Sequence, residues 1–249
     1  MNMSGRALTA VLAFLASGLA VSADPVRFST IDYAPYALSD DLKGRKGLIV
    51  DVVNATSQRA ALEHSNAVLP ISRVLKDLAS GLADCGVFLQ TGPSLKAYEQ
   101  VAKIYERFDT VIVARQGIPL QSAADLKGYR LAIPRHSFEG SSILEDPEIE
   151  IVLTNSIAQS VALIHAGRVD AVAGTDLSIR YEFSLLEGGA EGVGDILTYE
   201  RQEMWLQCAK GQLPQQSLTA LREAADVLRD GGVYDDIMRS YTHSQPVSQ

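Results

Sequence analysis

An α/β fold made of two similar halves is what this sequence predicts, and three observations carry the expectation. Strand-length apolar runs alternate with amphipathic helical stretches, the order found in proteins whose strands lie mostly parallel. Residues 110–114 (TVIVA) form an uncharged, β-branched run, the pattern of a strand covered on both faces. One pattern also occurs twice: residues 74–87 read VLKDLASGLADCGV and residues 160–173 read SVALIHAGRVDAVA. Each copy is an amphipathic helix, a Gly, two residues, an Asp and an apolar strand, so Gly81 and Asp84 match Gly167 and Asp170. A glycine at that point supplies the left-handed conformation that ends a helix.

The elements follow in order. Residues 26–31 (VRFSTI) read as a strand rich in β-branched and aromatic side chains, with Tyr33-Ala34-Pro35-Tyr36 as a loop at its end. Residues 48–62 carry helical spacing, 68–71 a short strand, 72–79 a helix and 84–89 a strand. A second half opens near Ile118. Ser122 and Asp125 have the spacing of a capping box, and Leu126-Lys127-Gly128 closes that short helix. Residues 129–133 then read as a strand, 135–142 as a polar loop, 188–195 as a Gly-rich turn and 203–209 as a strand. Residues 217–229 place Leu218, Leu221, Ala225 and Leu228 on one helical face, stopped by Gly231-Gly232. The polar tail 241–249 is expected to fray.

The first 23 residues read as a secretory signal. Arg6 precedes the apolar run 7–20 (ALTAVLAFLASGLA), and Val21-Ser22-Ala23 offers small residues to a signal peptidase, which leaves Asp24 as the new N-terminus. The apolar run is shorter than the roughly 20 residues a bilayer span needs. The mature chain is therefore expected in the periplasm, soluble and without membrane insertion, and without a fused sensor segment after its last helix. In an oxidising compartment Cys85 and Cys208 are free to form a disulfide, but their spacing does not decide between a bridge and two buried thiols.

Charge and motifs exclude several functions. With 30 Asp and Glu against 22 Lys and Arg, the net charge of −8 is a poor footprint for nucleic acid. Trp205 is the sole Trp, which argues against the stacking platforms of a sugar site. His64, His136, His165 and His243 lack metal-ligand spacing, so neither metal nor cofactor is predicted. There is no Gly-x-Ser-x-Gly elbow, no P-loop and no His-Glu-x-x-His, and GGAEGVG at 188–194 lacks dinucleotide spacing.

Five landmarks in sequence order carry a resemblance. They are Tyr33-Ala-Pro-Tyr36, Gly47-Leu-Ile-Val-Asp51, Gly81-Leu-Ala-Asp84, the segment Asp125-Leu-Lys-Gly-Tyr-Arg-Leu-Ala132, and Gly167-Arg-Val-Asp-Ala171. Together they resemble the polar amino-acid branch of the periplasmic solute-binding proteins of ABC transporters (extracellular solute-binding family 3) over nearly all of the mature chain. The resemblance implies the type II periplasmic binding fold: two α/β lobes joined by two hinge crossovers near 114–117 and 199–202. Lobe one would comprise 24–115 and 203–249 and lobe two 116–202, closing on a ligand between them.

The resemblance also implies a monomer, not an enzyme, that captures a small polar or anionic solute, an amino acid or a related carboxylate, for an ABC permease. Lys96 falls at the carboxylate-binding Arg, keeping the charge without the planar fork. Thr91 falls at a ligand-binding hydroxyl, and Leu89, beside Phe88, makes that wall more apolar. Lobe two would offer the Ser137 hydroxyl, Ser141 and Ser142 further along, and the charge of Arg135. Thr175 occupies the place of the Asp that holds an ammonium group, with Asp176 next to it. Tyr33 and Tyr36 would cover the ligand. With Lys96 and Thr175 as departures, a dicarboxylate or other small anion fits as well as an amino acid. Two further functions share the scaffold: a dehydratase-like enzyme on a cyclic acid, with Asp176, Glu139 or Glu182 as its acid, and a binding module serving a sensor or a partner enzyme.

Overall fold

The computed structural model describes residues 24–38 and 47–242, so the expected signal at 1–23 and the tail from 243 lie outside the described residues. Among the described residues there are eight strands: β1 (Val26–Ile31), β2 (His64–Leu69), β3 (Cys85–Leu89), β4 (Tyr98–Arg115), β5 (Arg130–Pro134), β6 (Glu150–Thr154), β7 (Ala171–Thr175) and β8 (Val193–Ala209). The helices are α1 (Leu48–Arg59), α2 (Ile71–Ser80), α3 (Gly92–Ala97), α4 (Ser142–Glu145), α5 (Ile157–His165), α6 (Asp176–Ser184), α7 (Gln215–Asp230) and α8 (Val233–Thr242). Among the described residues no helix is long and apolar enough to cross a membrane.

The strands form one mixed sheet in the order β2-β1-β3-β8-β4-β7-β5-β6. At one end β1 runs parallel to β2 and β3; at the other β5 runs parallel to β6 and β7. The two ends are joined by β4 and β8, which pair antiparallel along their length. The chain thus crosses between two α/β lobes twice, once in β4 and once in β8. Both strands exceed the expected 110–114 and 203–209. Residues 98–108 (YEQVAKIYERF) intersperse charges with apolar residues, and register shifts at Gln100/Ala102, Lys103/Tyr105 and Tyr105/Phe108 break the period-two pattern that marks a strand. Residues 193–195, expected in the Gly-rich turn, belong to β8. The strand expected at 68–71 is centred earlier, because β2 is an edge strand whose apolar and polar residues alternate in exposure, and α2 starts directly after Pro70.

The apolar runs serve cores on both faces of the sheet. Ile112, Leu131, Ile133, Ala171 and Ala173 pack on one side of the second lobe. Their neighbours Val111, Val113, Ala132 and Val172 pack on the other with Ile157, Val161 and Ile164 of α5. In the first lobe Phe28, Val87, Ile104 and Leu206 meet Leu48 and Val52 of α1 and Leu221 of α7, while Val74 and Leu78 of α2 cover the opposite face.

The repeated pattern is repeated geometry. Gly81 and Gly167 follow their helices with φ of 72° and 67°. Asp84 then accepts the main-chain N–H of Arg27 at 2.8 Å and its guanidinium at 3.0 and 2.5 Å. Asp170 accepts the same three groups of Arg130 at 3.0, 3.1 and 3.4 Å. Each Asp ties the strand that follows the Gly to the first strand of its lobe. Directly across the β3–β8 pair, Cys85 and Cys208 form a disulfide, which resolves the cysteine question left open by their spacing.

Candidate functional site

The site is assembled by loops at strand ends. Gly47, the residue before α1, has φ 118°, and a Cβ there would lie 2.5 Å from both the Ala37 Cα and the Tyr36 carbonyl oxygen. Only glycine lets the 33–37 loop press onto the start of α1. The close approach lets Leu48 and Ile49 donate their free first-turn N–H groups to the Pro35 and Tyr36 carbonyls at 3.2 and 2.7 Å. The loop folds back through a Tyr33–Ala37 bridge and stacks the Tyr33 and Tyr36 rings with centroids 6.1 Å apart. The second lobe reaches this loop: Ser178 of α6 donates to the Ala34 carbonyl. A Cβ on Gly174 would meet the Tyr33 hydroxyl at 3.0 Å, so the β7 end stays small to receive that ring.

Opposite stands the loop after β5. His136 and Phe138 hold φ of 64° and 61°, left-handed values that strain residues with a side chain and that occur at binding loops. The loop aims Phe138 at Tyr199 of β8, with centroids 5.9 Å apart. His136 Nδ1 lies 3.0 Å from Glu139 Oε1, and the Ser142 and Tyr199 hydroxyls lie 3.3 Å apart.

Between these loops and the sheet lies a cleft of about 910 Å³. Tyr33, Tyr36, Leu89, Thr91, Ser137 and Thr175 line it. Lys96, Arg135 and Asp176 do not, and the positive charge expected from both lobes is not at the wall. Lys96 sits exposed in the last turn of α3, a helix whose Thr91–Ser94 capping box fixes its direction and spends the Thr91 oxygen on the Ser94 N–H at 3.2 Å. Arg135 points to solvent just past β5. Asp176 is held by Arg180 one turn on, at 2.8 and 2.9 Å. Of the other acids considered, Glu139 lines the cleft and Glu182 does not. Burial nonetheless raises the Glu182 carboxyl above the ordinary glutamate range.

The sequence reading missed Tyr98, Phe108, Phe138, Tyr199 and Glu200, which also line the cleft. Four of them project from the long strands whose pattern the bulges obscure.

Polar demand remains unmet at the wall. The hydroxyls of Tyr36, Ser141 and Thr175 are buried without a hydrogen-bond partner among the described residues. Tyr36 and Thr175 are only 5% and 8% exposed. Thr175 precedes α6 yet its side chain caps no N–H of that helix. Burial is the main reason the Tyr33 and Tyr36 phenols titrate well above the ordinary tyrosine value, and hydrogen bonding toward Thr175 opposes it, so these hydroxyls lie close together although Tyr36 and Thr175 make no bond of ordinary geometry. Both phenols are neutral hydroxyls at physiological pH. Among the described residues no cluster of three or more His, Cys, Asp or Glu is arranged to hold a metal ion.

No protein-family model matches the chain. By sequence it is similar to the virulence sensor protein BvgS of Bordetella bronchiseptica and of Bordetella parapertussis, 25% identical over 184 residues, which cover 72% of this chain. The match spans only 15% of the length of those curated relatives. Among solved structures, a histidine kinase sensor domain with similarity to periplasmic binding proteins superposes with a TM-score of 0.77 at 18% identity, covering 88% of this chain and 96% of that one. The arginine-, lysine-, histidine-binding protein ArtJ of Geobacillus stearothermophilus superposes with a TM-score of 0.73 at 18% identity, covering 90% and 97%. With its sheet order, its two crossing strands and the cleft they span, the chain has the type II periplasmic binding protein fold.

Proposed function

We propose that the protein captures a small solute in the cleft and closes its two lobes around it, without turnover, on the periplasmic side of the membrane. The observation that carries this reading is a set of buried hydroxyls with no hydrogen bond of ordinary geometry among the described residues: Tyr36 comes from the first lobe, Ser141 and Thr175 from the second, and all three residues line one cleft. Buried hydroxyls normally find partners, and leaving one unmet costs about 1–3 kcal/mol. A polar ligand that satisfies them from both sides favours the closed state by its differential affinity. The lobes are taken as 24–115 with 203–249, and 116–202. Within β4, Thr110–Ala114 pairs with β7, so the first crossover runs through the end of that strand.

The captured solute would be delivered to an ABC permease by a monomer, in the manner of the transport proteins that share the fold. A second reading is a sensory binding module. The likeness to BvgS and to a histidine kinase sensor domain favours it. A thermal-shift screen of the purified chain, followed by mass spectrometry of each hit, tests the core of the proposal. A ligand at 100 times its Kd stabilises by about 2.7 kcal/mol. A hit recovered unchanged upholds binding; a hit converted to product moves the protein to the dehydratase-like reading.

A further inference from the structure

We infer that the cleft selects an organic amine with an apolar or aromatic body, and rejects ligands that carry a free carboxylate. The inference rests on the solute-binding reading and names the ligand class for that cleft. It runs against the anionic solute the sequence suggested.

The first ground is charge. Among the described residues no Lys or Arg lines the cleft, while Glu139 and Glu200 do. Glu200 forms no ion pair among the described residues; its carboxylate accepts only a bond from Gln202 Nε2 at 3.0 Å. Glu139 has only the His136 ring. Of the cations around the cleft, Lys103 is paired with Glu203 at 2.6 Å, Arg180 with Asp176 and Arg201 with Asp109, while Lys96 and Arg135, next in sequence to lining residues, are exposed and outside the wall. A ligand carboxylate entering this cleft would lose water, meet two like charges and find no counter-charge on the wall among the described residues, which disfavours its ionised form. The start of α6 does not make good the deficit, because Asp176 already places a carboxylate in its first turn.

The second ground is shape and polarity. Three aromatic pairs line the cleft: Tyr33–Tyr36, Phe88–Tyr98 at 5.5 Å and Phe138–Tyr199, the last from the other side. Ring faces attract an ammonium group and cover an apolar body, and they do neither for a carboxylate. The buried hydroxyls of Tyr36 and Thr175 sit beside one another at the cleft with unmet bonding capacity, and turned toward a ligand they can accept N–H bonds from an amine.

The test is isothermal titration of the purified protein with four compounds that share one body: phenethylamine, 2-phenylethanol, 3-phenylpropanoate and phenylalanine, with aliphatic amines and acids of matched length. The expected result is that an amine binds more tightly than its matched acid and amino acid by about tenfold or more, the scale of one charge-assisted hydrogen bond. Glu200→Gln, at an exposed position, should weaken the amine severalfold and leave the alcohol unchanged. An acid or amino acid that binds as tightly as the amine overturns the amine class and leaves solute capture standing. Silence from every compound overturns both.

Discussion

Asp170 grips Arg130 twice over, taking its main-chain N–H at 3.0 Å and its guanidinium at 3.1 and 3.4 Å. Arg115 adds a further bond at 3.1 Å. Hydrogen bonds from Arg130 are the largest cause holding the Asp170 carboxyl below the usual aspartate range. A carboxylate depressed in the folded state contributes stability in full above its unfolded pKa of about 4, and loses it as pH falls through the lower folded value. Asp170→Asn should therefore cost about 2–3 kcal/mol at pH 7, the worth of a charged hydrogen-bonded pair. The gap to the unsubstituted protein should shrink below about pH 4, where that pair no longer favours folding. Urea melts at pH 7 and pH 3 check the sign.

Gly81 and Gly167 separate backbone strain from crowding. Both have left-handed φ, so alanine should cost about 1–2 kcal/mol at each from the conformation alone. At Gly167 a new Cβ meets only the Arg115 guanidinium at 3.9 Å; at Gly81 it meets the Gln212 side chain at 3.0 Å. Gly81→Ala is expected to be equally or slightly more destabilising, since Gln212 can swing aside. Thermal melts of the two variants measure the difference.

The Cys85–Cys208 bridge joins residues 123 positions apart across β3 and β8. A cross-link over so long a loop restricts the unfolded chain, and its loss costs about 2–5 kcal/mol. The double Cys→Ala variant should melt well below the oxidised protein and at the same temperature in the presence or absence of reductant. An oxidised parent protein whose melting temperature does not fall on adding reductant would contradict the assignment.

Much of this fold was legible because its signals are local. The Gly–x–x–Asp repeat, the TVIVA run and the capping pattern at Ser122 each depend on residues close in sequence, and each maps onto an element or a turn. What escaped depends on distant partners. β4 and β8 stabilise one another through bulged registers, so their charged stretches do not look like strands until paired. The same blindness hid Tyr98, Phe108 and Tyr199. The cysteines could be read as present but not as opposed, because register across the sheet decides that. Lys96 and Arg135 were expected in the cleft for their charge, but a short helix and an outward-facing loop residue decide where charge points.

Lys96→Ala and Arg135→Ala should each leave ligand affinity within about twofold, because each lies outside the cleft wall and exposed charges contribute little at a distance in salt. Titration of the best ligand from the screen measures this. A loss of tenfold or more in either variant would restore the anion-binding site that the sequence alone suggested.

Thr175→Val makes the sharpest separation of stability from function. The Thr175 hydroxyl is buried at the start of α6 and makes no hydrogen bond of ordinary geometry among the described residues, so the folded protein recovers little of its desolvation cost. Valine removes that cost at nearly the same volume, and the apo protein should become more stable by about 1 kcal/mol. If the hydroxyl serves the ligand, affinity should fall by about tenfold at the same time, the value of one good hydrogen bond. Thr175→Ser keeps the hydroxyl and should keep the affinity. Melts of the apo variants and titrations of all three proteins read both quantities. A Val variant that gains stability and binds unchanged would mean that Thr175 is a flaw in the packing and not a contact, and would leave Tyr36 and Ser141 to hold the polar end of the ligand.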